Sequence, residues 1–86
     1  MATQRFTVGG VSYAVNRELF EERLHISEPE PIRKYSVEVS GRAFPVKQAV
    51  ALGLRAPKAG FQTQEAFRVL RRLGFDPLEH AQIRNS

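Results

Sequence analysis

The chain has 86 residues, of which 42% are apolar and 26% charged, with a formal net charge of +4. These values are typical of one small soluble domain with a thin core. No apolar run approaches the roughly 20 residues of a membrane span, and Thr3, Gln4 and Arg5 argue against a signal peptide. The sequence contains no cysteine, which excludes disulfides and thiolate chemistry. We therefore predict a single cytoplasmic domain over residues 1–86, of bacterial type.

The charged residues are divided unevenly along the chain. Residues 1–30 carry a net charge of −2, whereas residues 31–86 carry +6 because ten basic side chains outnumber four acidic ones. An excess of positive charge in one part of a chain gives information about binding partners rather than about the fold, and here it favours a polyanionic partner. The alternative is that these charges only keep the surface solvated.

Residues 1–26 predict a β-hairpin followed by an acidic helix. Apolar residues alternate with polar or small ones on both sides of Gly9-Gly10, a pair suited to a tight turn. Asn16 can cap a helix over Arg17–His25. The outer side of that helix is acidic, through Glu18, Glu21 and Glu22.

Residues 27–34 form a connection, because Pro29 and Pro31 prevent a helix from continuing. The alternation in Tyr35–Val39 predicts a half-buried strand. A turn at Ser40-Gly41 then leads into a short return strand that Pro45 ends. The connection is too short to separate two domains, so we assign it to the interior of one.

Two helical segments complete the region 35–75. The first begins near Pro45 or Val46 and runs toward Gly53, and a loop follows over residues 55–60. Thr63 is predicted to cap the second helix, Gln64–Leu73, and Gly74 provides a left-handed stop with Phe75 packed back on the helix. The tail, residues 76–86, can add a turn of helix but is expected to fray.

These elements predict an α+β fold. We expect a small antiparallel sheet, made of the hairpin and one or two further strands, packed with about three helices. The last two helices are helix-turn-helix-like, with a connecting loop longer than the usual tight turn.

Basic and amide side chains cluster on this two-helix region. Guanidinium groups bind phosphates bidentately, and the backbone N–H groups at a helix N-terminus also favour anions. A glutamine can pair with the edge of an adenine. The candidate nucleic-acid-binding residues are Arg42, Lys47, Gln48, Gln64, Arg68, Arg71 and Arg72.

The residues available for catalysis are few. His25 and His80 are the two histidines and Asp76 is the one aspartate. Without cysteines, an ordinary zinc-ligand spacing is absent from the sequence, and no glycine-rich phosphate loop occurs. We therefore predict no catalytic residues, no metal site, no cofactor and no small-molecule substrate, and hence no enzyme activity.

Several short motifs lie between Tyr35 and Phe75: the strand Tyr35–Val39, Gly41-Arg42 with Phe44-Pro45, Lys47–Val50, Phe61, and the ending Arg68–Phe75. In these residues the chain resembles a small N-terminal domain of some bacterial modification-dependent restriction endonucleases of the HNH type. It is also similar to short stand-alone actinobacterial proteins. The resemblance implies DNA contact by an accessory domain. It implies no cleavage, because the nuclease lies outside the matching segment.

The sequence thus predicts a small nucleic-acid-binding module that holds double-stranded DNA through phosphate contacts. Whether the nucleic acid is DNA or RNA stays open at this point. The alternative is a protein-interaction module, such as an inhibitor, an assembly partner or a homodimer, which uses the acidic and basic faces. No membrane partner is expected.

Overall fold

A computed structural model describes residues 3–32 and 34–79 of the chain. Within these ranges the fold is α+β, as predicted, with three α-helices and two small antiparallel sheets. In chain order the elements are β1 (Gln4–Val8), β2 (Val11–Val15), α1 (Arg17–His25), β3 (Tyr35–Val39), β4 (Arg42–Pro45), α2 (Val46–Leu54), a 3₁₀ turn (Lys58–Gly60), α3 (Thr63–Arg72) and β5 (Leu78–Glu79).

Strands β1 and β2 form the predicted hairpin. Phe6 pairs with Tyr13 and Val8 with Val11, so the turn falls at Gly9-Gly10. Both glycines have positive φ, 59° and 81°, which a two-residue turn of this hand requires. Helix α1 follows at the predicted residues, and the Asn16 side chain accepts a hydrogen bond from the Leu19 N–H at 2.7 Å.

The second sheet has the order β4-β3-β5, with β3 in the centre. Its hairpin β3–β4 is the predicted one, whereas β5 is an addition that the sequence did not indicate. A strand of two exposed residues, Leu78 and Glu79, has no periodicity to detect. The prediction for residues 80–86 falls outside the described residues.

Helix α2 connects the two sheets. It contacts α1, α3, β2, β3 and β4, and its buried residues include Ala49, Val50 and Leu54. Gly53 lies directly against the ring of Phe20 on α1, where a Cβ would overlap the aromatic carbons. The same ring packs against Phe75 at 5.6 Å between centroids. Phe20 therefore connects α1 with α2 and with Phe75, which lies just beyond the end of α3.

Helix α3 begins one residue earlier than the sequence suggested. Its N-cap is Gln62 rather than Thr63, because Glu65 turns back and accepts the Gln62 N–H at 2.9 Å. The same carboxylate accepts the Gly9 N–H at 3.1 Å, which attaches the hairpin turn to α3. At the other end Phe75 N–H donates to the Leu70 carbonyl at 2.9 Å around Gly74, confirming the predicted stop.

Arginines bind the C-terminal carbonyls of all three described α-helices. Arg42 donates to the Leu24 and His25 carbonyls of α1 at 2.8 and 2.9 Å. Arg23 donates to the Gly53 carbonyl of α2 at 2.7 Å. Arg17 donates to the Leu73 and Gly74 carbonyls beyond α3 at 3.4 and 3.3 Å. Each cation meets the negative end of a helix dipole and bonds carbonyls that lack an intrahelical partner.

No described helix combines the length and apolarity needed to cross a bilayer.

Gly53→Ala should destabilise the protein by about 1–3 kcal/mol, because a methyl group overfills the contact with Phe20. The cost of overpacking should exceed the roughly 1 kcal/mol of stability that replacing glycine with alanine normally gives in a helix interior. Urea unfolding measures the change. In a double-mutant cycle, Phe20→Leu removes the ring that the added methyl group would overlap, so Gly53→Ala should cost less stability in that background. If the stability losses of the two substitutions simply add, the proposed contact is contradicted.

Glu65→Gln should destabilise the protein at neutral pH. The N–H groups of Gln62 and then Gly9 hold the pKa of Glu65 below its ordinary value. The folded pKa is therefore below the unfolded one, about 4.3. The stability contributed by the carboxylate is fully present above that value and is lost as pH falls through the folded pKa. Thermal unfolding of both proteins across this range should converge on acidification, whereas Glu38→Gln, at an exposed residue of β3, should not show this dependence.

Candidate nucleic-acid interface

The outer side of α3 carries Gln64, Arg68, Arg71 and Arg72, all exposed, and we call these residues the basic face. Arg68 follows Gln64 by four residues, and Arg71 and Arg72 follow Arg68 by three and four, so helical geometry places them on adjoining rows. The opposite side of α3 buries Ala66, Val69 and Leu70 in the core. The structure therefore brings together the four candidate residues of this helix and directs them outward.

Strand β1 lies beside the basic face. The Arg68 guanidinium donates to the Thr7 carbonyl, and that of Arg72 to the Arg5 carbonyl, both at 3.4 Å. The guanidinium of Arg72 also lies 4.8 Å from the centre of the Phe6 ring. These long hydrogen bonds orient the arginines along the free edge of β1. Each guanidinium has five N–H groups, so most of its donors remain for a ligand.

Carboxylates do not neutralise the basic face within the described residues. The ion pairs there join Arg17 to Glu21 at 3.2 Å and Lys58 to Glu30 at 2.7 Å, and neither involves α3. Glu65 is the acidic residue in the first turn of α3, and two backbone N–H groups occupy its oxygens. Glu65 also attracts Arg68 electrostatically, whereas no described carboxylate forms an ion pair with Arg71 or Arg72. Most of the positive charge of the three arginines is therefore directed to solvent.

A groove of about 770 Å³ lies beside α3, between the proline-containing connection and the start of α2. We call it the main groove. Its lining includes Lys34, Lys47 and Lys58, together with Glu30 from the connection. The three lysines against one glutamate leave this lining with a net positive charge, and the N–H groups at the start of α2 add to it.

A smaller hollow of about 300 Å³ continues from the main groove. Tyr35 and Thr63 line both, so the two spaces meet at these residues. Arg68 and Arg71 of the basic face form the far side of the hollow. The main groove and the basic face are thus parts of one positively charged surface.

Half-buried aromatic rings lie where the two spaces meet. Tyr35 and Phe67 are arranged edge to face, with 5.2 Å between their centroids. Lys34 lies 5.2 Å from the Tyr35 ring and Arg71 lies 5.3 Å from the Phe67 ring. Each ring therefore has a flexible cation next to it.

Lys47 lies in the main groove, as its position behind Phe44-Pro45 suggested. Its ammonium is 5.6 Å from the centre of the Phe61 ring. Phe44 and Phe61 themselves are buried, so these rings belong to the core rather than to a binding surface. Lys47 is the predicted residue of α2 that remains available to a ligand.

Two predicted binding residues have structural roles. Arg42 donates to carbonyls at the end of α1 and to the Ser27 carbonyl at 2.7 Å. Gln48 is 8% exposed. Its amide accepts from the Glu30 N–H and donates to the Glu28 carbonyl, both at 2.8 Å. The hydrogen bonds of Arg42 through one guanidinium nitrogen and of the Gln48 amide therefore serve the fold. Their part in binding stays a prediction, and we place the principal contacts on the basic face.

Sequence reasoning missed the contribution of Lys34 and Lys58 to this surface. They lie in a connection and a loop, 24 positions apart in the sequence, and neither belongs to a helical or strand pattern. The hydrogen bonds of Gln48 fix the connection as a wall of the main groove. The chain has three lysines and each of the two breaks holds one, but their positions in the sequence did not indicate that they share one groove.

Metal binding has no support within the described ranges, since no three His, Asp or Glu side chains there are close enough to share an ion.

The fold and the site define a small α+β domain with a basic, partly aromatic groove. The chain belongs to the SCO5918-like family, whose sequence profile matches residues 5–85. No curated protein and no solved structure matches the chain. The resemblance to the endonuclease accessory domains stays a prediction.

Arg42→Ala should lower the free energy of unfolding by about 1–2 kcal/mol, because the carbonyls at the end of α1 lose a charged donor. Chemical denaturation measures this loss. Arg71→Ala is the matched control, since it also removes one arginine but from an exposed position, and it should change stability by less than about 0.5 kcal/mol. Equal losses in the two variants would contradict the structural role of Arg42.

Proposed function

We propose that this protein binds double-stranded DNA through the phosphate backbone, with Arg68, Arg71 and Arg72 as principal contacts. Gln64 and Lys47 supply further contacts at the margins of this surface. The observation that carries the proposal is the outward display of three arginines on one helix without a described carboxylate partner. Guanidinium groups arranged in this way can donate to several phosphates at once.

The shape of the basic face favours a duplex. A helix that projects from a small domain can approach the backbone or enter a major groove about 12 Å wide. The arginine rows follow the helix axis, so successive guanidinium groups can meet successive phosphates. Gln64, one turn before Arg68, can donate and accept at a base edge. We expect phosphate contacts to supply most of the affinity and base contacts to contribute little.

Binding of a labelled duplex should weaken by about two orders of magnitude between about 50 and about 200 mM salt, if three to five phosphates are contacted. Arg71→Ala should reduce the slope of the logarithm of affinity against the logarithm of salt concentration by about one. Fluorescence anisotropy titrations at several salt concentrations measure both. A flat salt response of the wild-type protein would contradict the proposal.

Arg55→Gly is the matched control for charge. Arg55 follows the end of α2 that is distant from the main groove, and its φ of 58° suits glycine. This variant loses one positive charge like Arg71→Ala but should keep the wild-type slope. Arg42→Ala, measured below its unfolding temperature, should keep it as well. If Arg55→Gly and Arg71→Ala weaken binding equally, net charge rather than the basic face determines affinity.

The protein-interaction alternative uses the acidic side of α1 against the basic face of another copy. Glu21 is already paired with Arg17, while Glu18 and Glu22 are exposed. Sedimentation of the wild-type protein at several concentrations distinguishes the two functions. A salt-sensitive dimer that dissociates when Glu18 and Glu22 are replaced with lysine, together with no duplex binding, would favour the alternative.

A further inference from the structure

The main groove differs in shape from the basic face. The basic face lies on the outer side of α3 and borders the smaller hollow of about 300 Å³, whereas the main groove is a larger open concavity of about 770 Å³. This volume lies within the range of small-ligand sites, about 300–1,000 Å³, and is too small to admit a duplex. A polyanion that enters the main groove must therefore be thinner than double-stranded DNA.

The charges of the main groove suit such a strand. Lys34, Lys47 and Lys58 approach it from the connection, α2 and the 3₁₀ turn, so cations surround the space from three elements. Glu30 opposes them, but it is already paired with Lys58 at 2.7 Å, and both side chains are about half exposed. A phosphate can replace Glu30 as the partner of Lys58 without disturbing the core.

Aromatic rings mark the point where the main groove meets the smaller hollow. Tyr35 and Phe67 are half-buried there, and Lys34 and Arg71 lie next to them. Bases inside a duplex are stacked on each other and cannot reach such rings. Unpaired bases can, and stacking on an aromatic side chain is a general way of holding them regardless of sequence.

We propose that the main groove binds a short single-stranded DNA segment that continues from the duplex on the basic face. Its phosphates contact Lys34, Lys47 and Lys58, and one of its bases stacks on Tyr35. The protein therefore recognises the junction between paired and unpaired DNA. This inference rests on the proposed duplex binding, because the hollow lined by Arg68 and Arg71 connects the two surfaces.

Four labelled oligonucleotides test the inference by fluorescence anisotropy at constant salt. The first is a blunt duplex, and the second is the same duplex with a tail of about five unpaired thymidines. The third has an abasic tail of equal length, which keeps the phosphates and removes the bases. The fourth is a blunt duplex lengthened by about five base pairs. The thymidine-tailed duplex should bind about tenfold more tightly than the abasic-tailed one, as one stacked base implies. The abasic-tailed duplex should in turn bind more tightly than the two blunt duplexes, because its phosphates reach the lysines of the main groove.

Variants assign this preference to the main groove. Tyr35→Leu keeps an apolar contact for Phe67 and removes the stacking surface, so the thymidine and abasic tails should bind equally. Lys34→Ala combined with Lys58→Ala should remove most of the advantage of the tail while leaving blunt-duplex affinity within about twofold, because neither lysine is a proposed duplex contact. Glu30→Gln should raise tail affinity, because it frees Lys58 from its ion pair. Circular dichroism and thermal unfolding verify that each variant is folded.

The outcomes distinguish the inference from the proposed function. If the wild-type protein binds the blunt duplexes but gains nothing from the thymidine tail, the inference is wrong and duplex binding stands. If the abasic and thymidine tails bind equally, stacking on Tyr35 is wrong. If the thymidine-tailed duplex binds while both blunt duplexes do not, the proposed duplex binding fails and the junction fails with it. A tail advantage that survives Tyr35→Leu unchanged also overturns the inference.

Discussion

Hydrogen bonds from arginines to helix C-terminal carbonyls are the interaction on which this fold depends. Arg42, Arg23 and Arg17 bond the ends of α1, α2 and α3, and each of them comes from another part of the chain. In a domain this small the apolar core is thin, so such bonds between elements contribute a larger share of the stability. They also bond carbonyls at helix ends, where the intrahelical hydrogen bonds stop. The same bonds occupy three of the chain's arginines, and this limits which cations remain to bind a ligand.

The charge of the candidate site depends on which basic residues bond helix ends and which stay exposed. Arg68, Arg71 and Arg72 lie on the outer side of a helix whose inner side packs in the core. Their described neighbours are the edge of β1 and the rings of Phe6 and Phe67, which leave much of each guanidinium exposed. Gln48 has the opposite role, because its buried amide holds the proline-containing connection against α2. That connection forms a wall of the main groove. A buried residue of the fold thus determines the shape of the proposed binding surface.

Sequence patterns predicted most elements because local chemistry controls them. The Gly9-Gly10 turn, the Asn16 cap and the Gly74 stop each depend on residues close together in the chain. The start of α3 was displaced by one residue, since a glutamate three residues after Gln62 defines the cap and Thr63 does not. Strand β5 was missed because two residues carry no periodic signal. For the candidate site, helical spacing predicted that the four residues of α3 share one exposed side, whereas the hydrogen bonds of Arg42 and Gln48 to distant backbone carbonyls could not be predicted from their local sequence.

The sequence by itself determined the elements, the outward rows of α3 and the excess of positive charge, because these follow from periodicity and composition. Only the tertiary structure decided how each cation is used. A guanidinium binds a carbonyl or an external phosphate with the same donors, and the choice depends on what the fold brings within about 3 Å of it. That neighbour comes from a distant segment, as with Arg42 and the end of α1, 17 or 18 positions away. Long-range proximity of this kind leaves no mark in local sequence, so a count of basic residues overstates the charge available to a partner.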